Sequence, residues 1–473
     1  MTRATSTTDD LIASDPLLAT WAVTLGRHGS QLAIANTRGE SLRTFAEIAA
    51  EAGRVEELLP NEFAPGAVIA VQLGNHPAWP AWLLACRRRG LAVLPLERGM
   101  AEREREAALQ TVQAAALVAL RPEGEVCLTR RAATAIDWGE HAPALLKMTS
   151  GTTAAPRAIR FRSEQLVRDC EQICQTMGIQ PNDTNFGVIP WSHSYGFSNL
   201  LTPLLLRGVS LVLSRDRMPR ALLDDLARSR ATIFAGMPIF YQAFAEMEAV
   251  PALPDLRLCI SAGAPLPLTV AQKFREKFGL TIHSFYGSSE CGGICYDREA
   301  RLEEAGFVGQ AMADVEVELL ETNAPASRVR VRTAAAGDGY FPEPEPEKLG
   351  RGIFVPDDLL APSREGFRIV GRVSDLINVA GKKVNPAEIE AVLLASPGVR
   401  TAVVFGRQST LRNEEVAACV VAAPEVTEHA LREFCRQRLS GWQVPKRIFF
   451  LAEMPANERG KISRRGLARR FAD

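Results

Sequence analysis

Apolar residues along most of this chain fall into two alternating kinds of run. Positions 66–73 and 91–96 are short and almost unbrokenly apolar, which predicts strands buried on both faces. Elsewhere the apolar positions fall three and four apart, as in Phe45, Ile48, Ala49 and Ala52, the spacing of a helix with one buried stripe. Thr44 stands just ahead of that stripe, where a hydroxyl can cap the first turn. The same pattern predicts a helix over 17–25, a strand over 31–35, a helix over 77–89 that stops before Gly90, and a strand over 115–120.

Beyond residue 163 the alternation resumes. A helix is predicted over 163–178 with Ser163 as its cap, then strands at 210–213, 232–235, 256–260 and 281–284. Helical stretches at 221–228, 238–246 and 268–278 separate them. Strands linked by helices predict an α/β fold with mostly parallel strands. In such folds ligands lie beyond the carboxyl ends of the strands, so the Gly- and Ser-rich stretches 261–265 and 286–290 are candidate site loops. From about residue 311 the runs become two-residue alternations, at 315–319 and 329–332. A Gly/Pro/Glu-rich loop at 337–350 follows, and 352–358 and 366–370 read as antiparallel β. A small α+β block then begins, which divides the chain into 1–373 and 374–473 with the boundary near Ser374.

Composition narrows the function classes. A length of 473 residues suits more than one domain. Lys+Arg and Asp+Glu are balanced at 55 each, so no charge excess argues for nucleic acid or an acidic membrane as partner. The most apolar stretch, 200–213, is broken by Pro203, Arg207 and Gly208, so no membrane span is expected. Residues 1–16 are polar, carry Asp9 and Asp10 and lack the apolar centre of a secretory signal. Nine cysteines, an odd number, then favour reduced thiols and a cytoplasmic setting. Cys170/Cys174 and Cys291/Cys295 are each four apart, but nothing completes a four-ligand zinc site, so buried small apolar residues are the better account.

The candidate chemistry centres on 148–162, MTSGTTAAPRAIRFR. Thr149, Ser150, Gly151, Thr152 and Thr153 offer a row of N–H groups and hydroxyls to an anion, with Arg157, Arg160 and Arg162 behind them. The apolar residues Ala144, Leu145 and Leu146 place this loop at the end of a strand. It lacks G-x-x-x-x-G-K-[ST] and so is not that phosphate loop, and taken alone it also fits an ordinary Ser/Thr-rich turn.

Five stretches in order decide the matter: TSGTTAAPR (149–157), PWSHSYGF (190–197), YGSSE (286–290), the PDDLL and GFRIVGR run (356–372), and GKKVNPAEIE with ERGKISR (381–390 and 458–464). Together they resemble the adenylate-forming superfamily of acyl- and aryl-CoA synthetases, luciferases and peptide-synthetase adenylation domains. The resemblance implies a large N-terminal AMP-binding domain of mostly parallel sheets flanked by helices, with a β subdomain, and a small mobile α+β C-terminal domain. It also implies a reaction. A carboxylate attacks the α-phosphate of ATP, pyrophosphate leaves, and the acyl-adenylate passes its acyl group to CoA. The phosphopantetheine of an acyl carrier protein is the alternative acceptor.

Carried onto this sequence, the resemblance folds Thr149, Ser150, Gly151, Thr152 and Thr153 over the departing phosphates, with Arg157 at the loop's end. Glu290 would hold Mg²⁺, a cation that takes oxygen ligands. Ser289, where the family usually has Thr, would donate to the adenylate phosphate. Gly263, Ala264 and Pro265, with Tyr286 and Gly287, would line the adenine pocket. Asp358, beside Asp357, and Arg372 would contact the ribose. Lys461 would bridge the carboxylate and the α-phosphate. After the small domain swings about Ser374, the loop of Gly381, Lys382 and Lys383 would serve thioester formation. His193 would border the carboxylate or the pantetheine path, and since it stands where amino-acid-activating relatives carry Asp, the small-molecule acid is expected to lack an α-amine. Tyr195, Phe197, Asn199, Cys291 and Gly292 are the expected acyl-pocket walls.

Three positions depart from the family pattern: Ala154 for Gly, Arg157 for Lys, and Ser374 for Asp or Lys. They motivate a competing expectation, a degenerate homologue that binds nucleotide without turnover. The expected assembly is a monomer or homodimer.

Overall fold

The computed structural model describes residues 14–149, 156–214, 216, 218–301, 304–322, 324–379, 382–409, 413–455 and 462–471. The chain forms two compact units, Met1–Glu318 with Arg330–Val355, and Leu319–Val329 with Pro356–Asp473. Ser374 therefore lies inside the second unit, in the single 3-10 turn Val373–Asp375. The reason is the hairpin Asp358–Ser363 with Gly366–Arg372, whose ladder belongs to the C-terminal grouping.

The large unit contains two sheets. In the first, Leu32–Asn36, Ser210–Leu213, Thr184–Gly187, Ile233–Gly236, Leu258–Ser261 and Ile282–Ser288 lie side by side and parallel. Ser41–Thr44 closes one edge antiparallel, and Gly292–Tyr296 and Phe307–Ala311 extend the other. The second sheet runs parallel through Ala114–Leu120, Val68–Gln72, Ala92–Pro95 and Leu145–Met148. It turns antiparallel at Ala158–Phe161 and Gly339–Phe341 on one side, and at Val126–Arg130 on the other. Unbroken apolar runs form the central strands because helices cover both faces: every residue of Val68–Gln72, Ile233–Gly236 and Leu258–Ser261 is buried.

Helix ends follow local rules where the needed group is close in sequence. Thr44 Oγ1 accepts from Glu47 N, and Thr44 N donates to Glu47 Oε2 at 2.7 Å, so the helix Phe45–Leu58 starts with a reciprocal cap. The helix Ser163–Met177 does not use Ser163 as its cap. Arg162 N donates to Gln165 Oε1 at 2.7 Å, while the Ser163 hydroxyl donates to Asp15 Oδ2 at 2.8 Å. Asp15 in turn caps the helix Pro16–His28 and pairs with Arg87, so a distant carboxylate claims the hydroxyl. Two strands also differ from the pattern. The strand predicted to stop at 284 runs to Ser288 and turns back as a hairpin, and the antiparallel β predicted over 352–358 is present only as the short strand Ile353–Phe354, with the next strand starting at Asp358.

The second unit carries a sheet ordered Lys382–Val384, Ile377–Val379, Asn413–Ala422 and Val399–Ser409, with Arg447–Phe450 parallel beside Asn413–Ala422. Strand alternation sorts its core onto two faces. Val404 joins Ile377, Ile389, Leu393 and Leu431, whereas Val403 and Phe405 join Cys419 and Leu467. Among the described residues no helix is long and apolar enough to cross a membrane.

Candidate active site

The anion-loop candidate is flanked by two paired strands. Leu145–Met148 pairs antiparallel with Ala158–Phe161, and Thr149 N donates to Arg157 O at 2.8 Å, closing the neck. Ser150, Gly151, Thr152 and Thr153 lie outside the described residues. The guanidinium of Arg157 lies 4.5 Å from the Tyr340 ring centroid and pairs with Glu345. A planar guanidinium can stack on the ring face while its N–H fork pairs with the carboxylate, a geometry a lysine does not reproduce. The other two arginines brace the frame instead of facing the loop. Arg162 Nε pairs with Asp338 Oδ2 at 2.9 Å, and Arg160 Nη1 reaches Trp138 O at 3.5 Å.

Parallel strands bring the remaining loops of this unit to common carboxyl ends. The register Ser261↔Ser284 sets Gly263, Ala264 and Pro265 beside Tyr286 and Gly287. The first three are exposed, with Gly263 at φ +86°, whereas Tyr286 is buried. The Tyr195 hydroxyl donates to Ile260 O at 3.1 Å and Gly236 O at 3.3 Å, pinning its short helix across the ends of two strands. Burial pushes its phenol well above the ordinary tyrosine value. Phe197 is buried edge-on against Trp79, 6.1 Å between centroids. Asn199 is buried too, and among the described residues neither polar atom of its amide has a partner. His193 is exposed, and its Nδ1 accepts from Tyr195 N at 3.2 Å, which caps the one-turn helix Ser194–Gly196. Ser194 Oγ donates to Ser289 Oγ at 3.0 Å, joining that helix to the next loop.

Glu290 occupies the turn between Ile282–Ser288 and Gly292–Tyr296. Its backbone N donates to Ser288 Oγ at 3.1 Å and its carbonyl accepts from Gly337 N at 2.9 Å. The Tyr340 hydroxyl donates to Glu290 Oε1 at 3.2 Å. Burial pushes this carboxyl above the ordinary glutamate value, and the Tyr340 bond works against that rise. Arg157, Tyr340 and Glu290 thus form one chain of contacts from the neck of the anion loop to the candidate metal carboxylate. No group of three or more His, Cys, Asp or Glu arranged to hold a metal ion occurs among the described residues. A lone oxygen donor fits Mg²⁺, which binds through one or two carboxylates plus water and substrate phosphates.

In the second unit Asp358 is buried and Arg372 Nε donates to its Oδ1 at 2.6 Å, directly across the hairpin, while Asp357 is exposed. The two residues expected on the ribose hold each other. Gly381 and Lys461 lie outside the described residues. Lys382 Nζ sits 3.5 Å over the Trp442 ring, and Lys383 is exposed on the same short strand. Just past Lys461, Arg464 is pinned: Nη2 to both Glu390 oxygens at 2.9 and 2.8 Å, Nη1 to Asp375 Oδ2 at 2.7 Å, and Nε to Val404 O at 3.1 Å.

Residues 22–330, well over half of the chain, match the AMP-binding enzyme family, and residues 388–461 match the AMP-binding enzyme C-terminal domain. The chain belongs to the AMP-binding enzyme family. It is accordingly an ATP-dependent acid–thiol ligase that adenylates a carboxylic acid and passes the acyl group to a thiol. It is similar to a feruloyl-CoA synthase of Amycolatopsis sp, 28% identical over 96% of this chain and 99% of that protein. It is also similar to a 3,4-dihydroxybenzoate–[aryl-carrier protein] ligase of Bacillus anthracis, 25% identical over 70% of this chain and 75% of that one. The fold matches the crystal structure of ATP-bound MatB from Rhodopseudomonas palustris with a TM-score of 0.85, 24% identity and coverage of 96% and 99%.

Two charged residues of this AMP-binding enzyme escaped the motif reading. Lys147, on the strand that enters the anion loop, is 6% exposed, with Nζ 4.6 Å from the Phe161 centroid and 5.5 Å from that of Phe197. Asp169, 5% exposed, accepts from Ser198 Oγ at 2.5 Å and from Gly293 N at 3.2 Å. A Cβ on Gly292 would lie 2.0 Å from Asp169 Oδ1, and Gly292 has φ +72°, so only glycine fits that turn. Burial lowers the Lys147 ammonium and raises the Asp169 carboxyl, and each charge partly restores the other. Beside them the thiol of Cys291 is fully buried and pushed up by that burial. A lysine inside the apolar run Ala144, Leu145, Leu146 and an aspartate inside a buried helix stripe were the available signals, since such charges are rarely buried unpaired.

Proposed function

We propose that this ligase activates an aryl carboxylic acid lacking an α-amine and delivers it to CoA. The reading is supported by the contact chain from Arg157 through Tyr340 to Glu290, which links the neck of the anion loop to the carboxylate read as the metal's ligand. Thr149 to Thr153 wrap the departing phosphates with N–H groups and hydroxyls, and Glu290 supplies the metal's protein ligand. Mg²⁺, when bound, neutralises phosphate charge and draws electron density from the α-phosphorus. Ser289 donates to the adenylate phosphate, and Gly263, Ala264, Pro265, Tyr286 and Gly287 hold the adenine. Asp358 and Arg372 take the ribose hydroxyls by exchanging their mutual bond for bonds to the sugar. Lys461 holds carboxylate and phosphate oxygens in line for attack, the orientation on which such a step depends. A swing about Ser374 then brings Gly381 and Lys383 to the thioester step, with His193 at the thiol path. The flat walls Tyr195 and Phe197, with the small residues Cys291 and Gly292, suit a ring.

Relatives named for aryl acids support that choice. The carrier-protein ligase among them motivates a second reading, in which a phosphopantetheinylated carrier replaces CoA. ATP–pyrophosphate exchange across a panel of aryl, fatty and amino acids tests the first step. Exchange should peak with aryl acids, and thioester yield should be higher with CoA than with a carrier protein. Exchange with no acid would leave only the non-turnover homologue.

A further inference from the structure

We propose that Lys147 is a specificity-determining residue, whose ammonium donates to a neutral oxygen (hydroxyl, phenol or ketone) on the part of the acid remote from its reacting carboxylate. This rests on the reading of Phe197, Cys291 and Gly292 as acyl-pocket walls. Lys147 is nine-tenths buried, yet among the described residues its Nζ has no acceptor within hydrogen-bond or ion-pair range. The opposite charge it feels most strongly, Asp169, already accepts from Ser198 and Gly293. A buried ammonium with unmet N–H groups is costly, so its site is completed by something brought to it.

The surroundings say where that partner comes from. Two faces of the ammonium's space are the rings of Phe161 and Phe197, and Cys291 and Glu290 are near enough to act on its charge. Phe197 and Cys291 are the walls assigned to the acyl group, so an acid held against them comes within reach of the ammonium. Charge balance selects the kind of oxygen. Lys147 already faces the carboxyls of Asp169 and Glu290, and a further carboxylate would add negative charge to the buried cluster. A neutral oxygen satisfies the N–H groups and leaves the balance intact.

The test compares matched acids in ATP–pyrophosphate exchange with the full-length enzyme: cinnamate against 4-hydroxycinnamate, benzoate against 3- and 4-hydroxybenzoate, and the corresponding dicarboxylates. The wild type should favour the hydroxylated member of at least one pair by about tenfold to a hundredfold in kcat/KM, mostly through KM. Lys147→Met should erase that preference by losing the hydroxylated acid, with the KM for ATP unchanged. Wild-type discrimination needs no variant, so a misfolded Lys147→Met leaves the question decidable, and Lys147→Gln gives a second probe. Equal use of both members of every pair by an active wild type would overturn the inference while leaving the ligase reading standing. So would a preference for dicarboxylates, or a Lys147→Met defect confined to ATP. No exchange with any acid would instead sink the ligase reading on which the inference rests.

Discussion

The candidate site residues of the two units are held in opposite ways. In the large unit the candidates around Tyr195 and Glu290 are fixed by burial and mutual contact. Tyr195 is bonded to the ends of two strands, Glu290 is held by Tyr340 and Gly337, and Asp169 binds Ser198 and Gly293. In the C-terminal unit the ribose candidates Arg372 and Asp358 hold each other, whereas the described lysines of the candidate thioester loop, Lys382 and Lys383, are exposed, and rigidity near them lies in Arg464 with Glu390. The difference matches two chemical tasks. Stabilising developing phosphate charge requires donors that are already in place. Supplying a cation at one step and withdrawing it at another suits a long side chain on an exposed loop.

The sharpest way to break this contrast is to remove one buried charge from each unit. Asp169→Ala leaves Lys147 buried without its opposite charge and should lower stability by about 3–5 kcal/mol. Arg464→Ala strands Glu390 in the same manner, but the Arg464 side chain is 31% exposed, so screening should reduce the loss to about 1–3 kcal/mol. Denaturant titration of both variants gives the comparison, and equal losses would contradict it. Lys461→Ala should lower ATP–pyrophosphate exchange by about a hundredfold to a thousandfold while sparing thioester formation from preformed adenylate. Equal loss in both half-reactions would mean that the cation is not withdrawn between steps.

Within the large unit the fixed contacts can be graded. Tyr340→Phe removes one hydrogen bond to Glu290 and should cost about tenfold in exchange rate, with a raised Mg²⁺ requirement, as read from a magnesium titration. An unchanged titration would separate Tyr340 from the metal carboxylate. Arg157→Lys restores the usual family residue but gives up the stack on Tyr340 and the planar pairing with Glu345. A change of about twofold to fivefold in kcat/KM is expected, since an exposed cation–π contact contributes about 0.5–1 kcal/mol.

Much of the fold was legible because its determinants are local. The helices Pro238–Glu246 and Leu268–Phe278 have the bounds that periodicity predicts, and Thr44 and Glu47 form the cap that their spacing suggests. The motif loops also fell where α/β patterning places them, after strands. Ser163 shows the limit, because its hydroxyl could cap its own helix or bind Asp15, and only tertiary packing brings Asp15 within 2.8 Å. Arg160 and Arg162 followed the same course, turned to structural partners despite their place beside the anion loop.

By itself the sequence determined the alternation of strands and helices, the candidate loops and the family, since these rest on short-range periodicity and contiguous motifs. Tertiary structure alone decided which charges are buried together. Lys147 and Asp169 stand 22 positions apart with no shared motif, and each reads alone as an oddity in an apolar run. Their meaning came from packing against Phe161, Phe197 and Gly293, because the energy of a buried charge depends on neighbours that no local pattern encodes.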